Sequence, residues 1–350
     1  MKILLCHPGA SWATADVHDG IERALRDAGQ EVISYALDNR IEASGAYLTY
    51  IWKRSNRTLE RPKAADFIYF ASVGIIERAL RHNVDWVLIV CHMYVHPDVL
   101  LMLHRAKIKV AVIFTESPYD DDAQIRLAPW ARACWVNERL SVERFRTVQP
   151  HTYYWQHAID PERHSGEPQP GDGDWPAHDV VFVGTGFQER CDLLGAIDWE
   201  GIDFGLYGSW PLLGSRNKLR SHLRDEIIPN SVTATLYRRA KIGLNMHRTS
   251  MGFGKDMPQI TEAESMGPRC YQLAACGRFF ITDYRAEVAD VFQGLVPTFR
   301  TPAEAEALIR SYLSRPDERE AIARQLPAKV AGETFAARAA TIIQVLTEVK

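Results

Sequence analysis

Short, unbroken apolar runs, each followed by a stretch with helical periodicity, recur along most of this chain. Lys2 to His7 is the first such run. Val17, Ile21, Ala24, Leu25 and Ala28 then return at helical spacing until Gly29 stops them. The same reading predicts strands at Glu31 to Leu37, Trp86 to Cys91, Val110 to Thr115, Ala133 to Val136 and Thr152 to Trp155. It predicts helices at Phe67 to Leu80 and Pro97 to Ala106, and leaves residues 38–66 as a polar, mixed segment. Strands that are apolar throughout, rather than alternating, suit a parallel sheet covered on both faces, and intervening helices supply the cover.

The alternation then pauses. Ser165 to His178 reads SGEPQPGDGDWPAH, with three glycines, three prolines and three acidic residues, a composition expected of a linker. Beyond it, strands are predicted at Val180 to Val183, Asp203 to Tyr207, Ile242 to Met246 and Arg278 to Thr282. Helices are predicted at Arg190 to Leu194, around Tyr237 and Ala240, and between Pro268 and Gly277. Thr301-Pro302-Ala303-Glu304 has the form of a capping box with proline at the first helical position, starting a helix to about Leu313. Asp317 to Leu326 and Ala336 to Val349 read as terminal amphipathic helices. The expected organisation is a Rossmann-like domain over 1–165, a linker over 166–178 and a second Rossmann-like domain over 179–335. A C-terminal helix over 336–350 can pack back toward the first domain.

Composition narrows the class. A length of 350 residues suits two domains, and 46% hydrophobic with 24% charged residues describes a globular chain. The 41 basic and 44 acidic side chains leave a net charge of −3, so no global basic field points to nucleic acid or membrane. No apolar stretch reaches the length of a signal peptide or a membrane span, which implies a cytoplasmic protein. Six scattered cysteines without a CxxC pair suggest reduced, buried thiols rather than disulfides or zinc ligands.

The most informative segment is Ala263 to Asp283. Gly267-Pro268 suits a helix N-terminus, Arg269 and Gln272 fall near its start, and a buried strand follows Gly277. Free amide hydrogens, the positive end of the helix dipole and a guanidinium together make an anion cradle. An ordinary helix–strand unit with a solvated arginine is the alternative. Two glycine turns also follow strands: His7-Pro8-Gly9-Ala10, and Gly184-Thr185-Gly186, where Glu189 occupies the sixth position of a dinucleotide fingerprint. Arg190 follows the second turn and could bracket a diphosphate together with Arg269, Arg248 being a third candidate. An exposed arginine at a helix start is the other reading of Arg190. Tyr207 and Gly208 end a strand and could contact a nucleobase, or Tyr207 could simply pack. His247 ends another strand, as a ligand contact or a core-edge histidine. In the first half His92 and Glu116 lie just past strand ends, where acid–base groups project from such sheets. Asp120-Asp121-Asp122 reads better as a helix N-terminus than as a metal site, so no metal is expected. Tyr47 to Arg61, rich in aromatic and basic residues, could embrace a polyanion or be a helix with a solvated basic face.

With those residues in view, the chain resembles the GT-B glycosyltransferases, and more narrowly the CgeB-like group with a family-1-type carboxyl-terminal domain. The resemblance is carried by Val180 to Thr185, Gly205 to Gly208, Ala240 to Arg248 and Arg269 to Asp283, and continues through Phe292, Tyr312-Leu313 and Pro316 to Arg319. In the first half only Trp155 to Pro161 and the strand order are similar. The resemblance implies an α/β fold of two Rossmann-like domains facing each other across a cleft. It also implies a glycosyltransferase, hexosyl- or pentosyl-, that moves a sugar from a nucleotide diphosphate sugar to a hydroxyl-bearing acceptor. Retention and independence of metal or other cofactor are implied too, with a UDP-sugar the slightly favoured donor. The donor-binding set would be Gly9, Gly184, Thr185, Gly186, Arg190, Tyr207, Gly208, His247, Arg248, Gly267, Arg269 and Gln272, with His92 and Glu116 as catalytic candidates. Where such enzymes commonly carry a ribose-contacting glutamate, this chain has Gln272, which keeps an acceptor oxygen but loses the charge. The acceptor, whether glycan, protein, small molecule or modified DNA base, and the oligomeric state are left open. A binding module and a sugar-nucleotide epimerase of the same fold are the rival functions.

Overall fold

In a computed structural model, which describes residues 1–9, 14–225 and 228–349, the alternation closes into two parallel sheets. The turn residues Ala10 and Ser11 lie outside the described residues. The elements run β1 (Lys2–His7), α1 (Ala15–Asp27), β2 (Glu31–Ala36), α2 (Asp38–Arg54), α3 (Ala64–His82), β3 (Trp86–Val90), α4 (Pro97–Arg105), β4 (Val110–Phe114), α5 (Asp121–Leu127), β5 (Ala133–Val136), α6 (Ser141–Arg146) and β6 (Thr152–Tyr154). There follow β7 (His178–Val183), α7 (Gln188–Ala196), β8 (Phe204–Tyr207), β9 (Leu223–Asp225), α8 (Asn230–Arg239), β10 (Ala240–Asn245), α9 (Pro268–Ala275), β11 (Phe280–Asp283), α10 (Ala286–Phe292), β12 (Thr298–Phe299), α11 (Pro302–Leu313), α12 (Pro316–Ala323), α13 (Leu326–Val330) and α14 (Phe335–Glu348). Two compact units result: Met1–Trp155 with Phe335–Lys350, and Gln156–Thr334.

The first unit holds a six-stranded sheet in the order β2-β1-β3-β4-β5-β6, with every pair parallel. β3, β4 and β5 are buried at every position, as their unbroken apolar runs require of strands covered on both faces. The terminal helix α14 packs against α1 within this unit. Their approach is close because Gly20 has no side chain: a Cβ there would lie 2.3 Å from the Phe335 ring. The segment read as mixed contains α2, whose single buried residue is Ser44. It owes little to a buried face, the feature that periodicity detects best.

The second unit's sheet runs β12-β11-β10-β7-β8-β9, again parallel throughout. The chain builds outward from β7 through β8 to β9, then crosses back to place β10 on the other side of β7. The carboxyl ends of β7 and β10 therefore form the point where strand order reverses, the place where open α/β sheets hold their ligands. α11 starts where the capping box is expected. Thr301 Oγ1 accepts the Glu304 N–H at 3.2 Å, while the Glu304 carboxylate accepts the N–H of Arg300, one residue earlier than the ideal motif, at 2.7 Å.

Residues 166–178, expected as a linker, lie inside the second unit. Arg238, buried on α8, donates to both Asp172 oxygens at 2.8 and 2.7 Å and to the Arg163 carbonyl at 3.1 Å. Composition describes this segment as solvated chain, but one buried guanidinium supplies the partners that pin it. The six cysteines are free and buried. Among the described residues no helix is long and apolar enough to cross a membrane.

Candidate functional site

The site is built on the reversal point of the second sheet. β7 ends at Val183 and the chain turns through Gly184-Thr185-Gly186 into α7; β10 ends at Asn245 and continues through Met246, His247 and Arg248. Arg190, one turn into α7, joins these two loops. Its guanidinium donates from Nη1 to the Thr185 carbonyl at 2.8 Å and from Nη2 to the Met246 carbonyl at 2.7 Å. At 4% exposure it is not the solvated helix-start arginine that was one reading, and its backbone bonds make it a brace for the loops. Glu189, in the position where a dinucleotide fold needs glycine, is a second brace. Its carboxylate accepts the N–H groups of Thr249 at 2.9 Å and Ser250 at 3.2 Å, and the Ser250 hydroxyl. Burial alone would raise its pKa, but these donors outweigh it and hold the carboxyl below its usual range.

α9 begins against these loops. Gly267 is its extended N-cap and Pro268 its first residue, so the helix opens as expected, with unspent amide hydrogens and the positive end of its dipole at the sheet's carboxyl edge. Arg269 is half-buried and makes no hydrogen bond or ion pair among the described residues. It converges with Arg190: their Cζ atoms lie 5.9 and 5.6 Å from the centroid of the same Phe182 ring. A Cβ on Gly184 would sit 2.6 Å from Arg269 Nη2, so the bare glycine lets the guanidinium rest on the turn. Gly208 has the same role for the backbone. Its φ of +106° and the 2.3 Å separation of a hypothetical Cβ from the Gly184 carbonyl oxygen exclude any side chain. Gly186, likewise, leaves room for the Trp210 ring.

His247 faces the start of α9. Its Nδ1 lies 2.7 Å from Asp283 Oδ1, which also accepts the His247 backbone N–H at 2.9 Å. Nε2 is buried without a hydrogen-bond partner among the described residues, and a Cβ on Gly267 would stand 3.9 Å from it. Burial pushes the Asp283 carboxyl up, but the His247 ring and the Arg285 guanidinium more than offset this, leaving it below the ordinary value. Asp283 and Glu189 escaped sequence reasoning. The signal for Asp283 was its place at the carboxyl end of β11, beside the strand leading to His247.

The remaining expectations divide. Arg248 is half-buried with Cζ 5.3 Å from the Phe187 ring centroid, on the same rim. Gln272, on the helical face of Arg269, is 9% exposed and makes no side-chain hydrogen bond among the described residues. Tyr207 does not line the site with its ring: it is 1% exposed, its hydroxyl lies 2.8 Å from His178 Nε2, and burial pushes its pKa up to about 12. Gly9 belongs to the first unit, where its φ is +112° and its carbonyl lies 3.2 Å from His18 Nε2. Also there, His92 and Glu116 follow the neighbouring strands β3 and β4. His92 is buried, with Nε2 3.1 Å from Asp120 Oδ2, while Glu116 is half-buried. The three aspartates go to separate partners, Asp120 to His92, Asp121 to Ser141 and Asp122 to Arg144, at the start of α5.

Two doubly wound parallel sheets in one chain are the architecture of the GT-B glycosyltransferases. Residues 190–344, most of them in the second unit, match the family model described as glycosyl transferase-like. No curated protein matches the chain. Among solved structures, it is similar to sucrose-phosphate synthase from Thermosynechococcus elongatus at a TM-score of 0.68 and 13% identity, covering 99% of this chain and 98% of that one. It is similar to Anabaena Alr3699/HepE in complex with UDP-glucose at 0.63 and 13%, covering 99% of each chain. It is also similar to UDP-GlcNAc 2-epimerase from Neisseria meningitidis bound to UDP-GlcNAc at 0.57 and 12%, covering 99% and 100%.

Proposed function

We propose that the protein transfers a sugar from a nucleotide diphosphate sugar, a UDP-sugar by preference, to a hydroxyl-bearing acceptor. The observation that carries this reading is a single convergence. The open N-terminus of α9, a half-buried Arg269 without a hydrogen bond or ion pair among the described residues, and a buried His247 nitrogen likewise without a hydrogen bond there all meet at the reversal point of one parallel sheet. A diphosphate satisfies the first two, and a sugar or ribose hydroxyl can donate to the third, since His247 Nδ1–H donates to Asp283 and leaves Nε2 an acceptor. As the acceptor oxygen bonds the anomeric carbon, the bond from that carbon to the diphosphate oxygen breaks and its electron pair leaves with the diphosphate. Arg269 and the α9 amides then stabilise the growing negative charge. Fixed guanidinium and peptide donors supply the positive charge for which other transferases use a metal ion, so the reaction proceeds without one. The acceptor oxygen enters on the face that the diphosphate leaves, so the anomeric configuration is retained, and the hydroxyl proton passes to a base, for which His92 and Glu116 are the candidates. The structures solved with UDP-glucose and UDP-GlcNAc support a uridine nucleotide in this fold.

Titration calorimetry with UDP-sugars on the full chain and on Arg269→Ala tests the cradle. Binding to the parent and its loss in the variant are expected; equal affinity would remove the basis of the proposal. A second reading, sugar-nucleotide epimerisation, draws support from the likeness to the UDP-GlcNAc 2-epimerase fold. Conversion of the donor to an isomer without added acceptor would select it, whereas slow release of free sugar and UDP selects transfer to water.

A further inference from the structure

We propose that the α2–α3 hairpin of the first unit is a docking surface for a nucleic-acid strand, a partner the donor cradle does not imply. Residues 47–63 carry five cationic side chains against one carboxylate, in a chain whose net charge is −3. Lys63 pairs with that carboxylate, Glu60, at 2.7 Å. Lys53, Arg54, Arg57 and Arg61 are exposed and form no ion pair among the described residues. Unpaired cations this dense repel one another and favour a polyanion that brings several charges at once.

Aromatic rings are presented beside them. Tyr47, Tyr50 and Phe70 are 53%, 58% and 52% exposed, and the Tyr47 and Phe70 rings stack with centroids 5.8 Å apart. Tyr47, Tyr50, Ile51 and Arg54 share one stripe of α2, since they follow each other at helical spacing. Arg57 and Arg61 lie over the Trp52 ring at 5.3 and 5.8 Å from its centroid, which holds two guanidinium groups at the turn after α2. A groove of about 400 Å³ opens beside them, where Arg61, Lys63, Tyr69 and Phe70 line the wall together with the carboxylates of Glu60 and Asp66. Flat rings interleaved with arginines are the combination that stacks bases and tracks phosphates. A bilayer would want a continuous apolar face, and here the exposed face of α2 is interrupted by Lys53 and Arg54. α2 has few other duties, burying only Ser44, while α3 anchors the hairpin to the core through Ala71, Ile75 and Ala79.

Fluorescence anisotropy with a labelled single-stranded oligonucleotide of mixed sequence, and no donor present, tests this independently of sugar transfer. Four phosphate contacts predict a log–log salt slope of about −3, or about 50-fold weaker binding at 200 mM than at 50 mM salt. Arg54→Glu with Arg57→Glu should weaken binding at least about tenfold and flatten the slope toward half. Tyr50→Ala should weaken binding about tenfold while leaving the slope unchanged. Melting temperatures and far-ultraviolet circular dichroism should not move, as these side chains are exposed. Absence of saturable binding at 50 mM salt overturns the proposal, as does a slope indifferent to the charge reversals. Capture on phosphatidylserine vesicles without oligonucleotide binding would assign the face to a membrane and also overturn it.

Discussion

Arg190 and Arg269 touch the same phenylalanine, yet their removal should produce opposite phenotypes. In Arg190→Ala, the Thr185 and Met246 carbonyls lose donors bonded at 2.8 and 2.7 Å in a site where the arginine is 4% exposed. Each hydrogen bond to a charged group contributes about 1.5–3 kcal/mol, and water reaching the emptied site recovers part of the loss, so a cost of about 3–5 kcal/mol is expected. At roughly 2–4 °C per kcal/mol for a domain of this size, the second unit should melt on the order of 10 °C lower. Arg190→Lys should recover little, because one ammonium cannot span two loops as a planar guanidinium does. Differential scanning calorimetry with and without UDP-sugar is the assay. If Arg190→Ala melts with the parent and loses only donor affinity, the residue is a ligand contact and the bracing argument fails.

Arg269→Ala should melt within about 0.5 kcal/mol of the parent in stability, since it breaks no protein hydrogen bond, yet lose donor affinity in calorimetry. Gly208→Ala should destabilise the second unit by more than about 2 kcal/mol in urea titrations, as its Cβ meets the Gly184 backbone and its φ is +106°. His7 and His164 both have pKa values lowered to about 4, in each case by burial, then by neighbouring His18 and Arg163 respectively. Folded states with depressed histidine pKa values resist protonation, so stability should be full above about pH 6.5 and fall as pH drops toward 4. Urea midpoints across that range check this. In His164→Asn, whose side-chain oxygen can accept the Asp160 N–H as Nδ1 does at 3.1 Å, the second unit's decline should flatten.

Sequence reading reached furthest where one local rule decides the structure. Gly267-Pro268 opens α9, Thr301-Pro302 opens α11, and the apolar runs from Trp86 and Val110 are buried strands, because caps and continuous hydrophobicity act within a few residues. It failed where partners are distant in the chain. The Pro- and Gly-rich segment around Asp172 is held by Arg238, and nothing near either residue announces the other. Tyr207 and Arg190 carry similar sequence signals, yet one ring turns into the core toward His178 while the guanidinium bridges two loops.

From the amino-acid order alone came the fold class, most strand and helix limits, and the expectation of an anion cradle at Arg269, since hydrophobic period, capping chemistry and helix dipoles are local properties. Three-dimensional packing alone settled which arginine braces and which makes no hydrogen bond among the described residues, that His247 is paired with Asp283, and that Glu189 ties down the loop after β10. Those outcomes depend on which strands become neighbours in the sheet. Side chains up to 61 residues apart compete there for the same buried donors and acceptors.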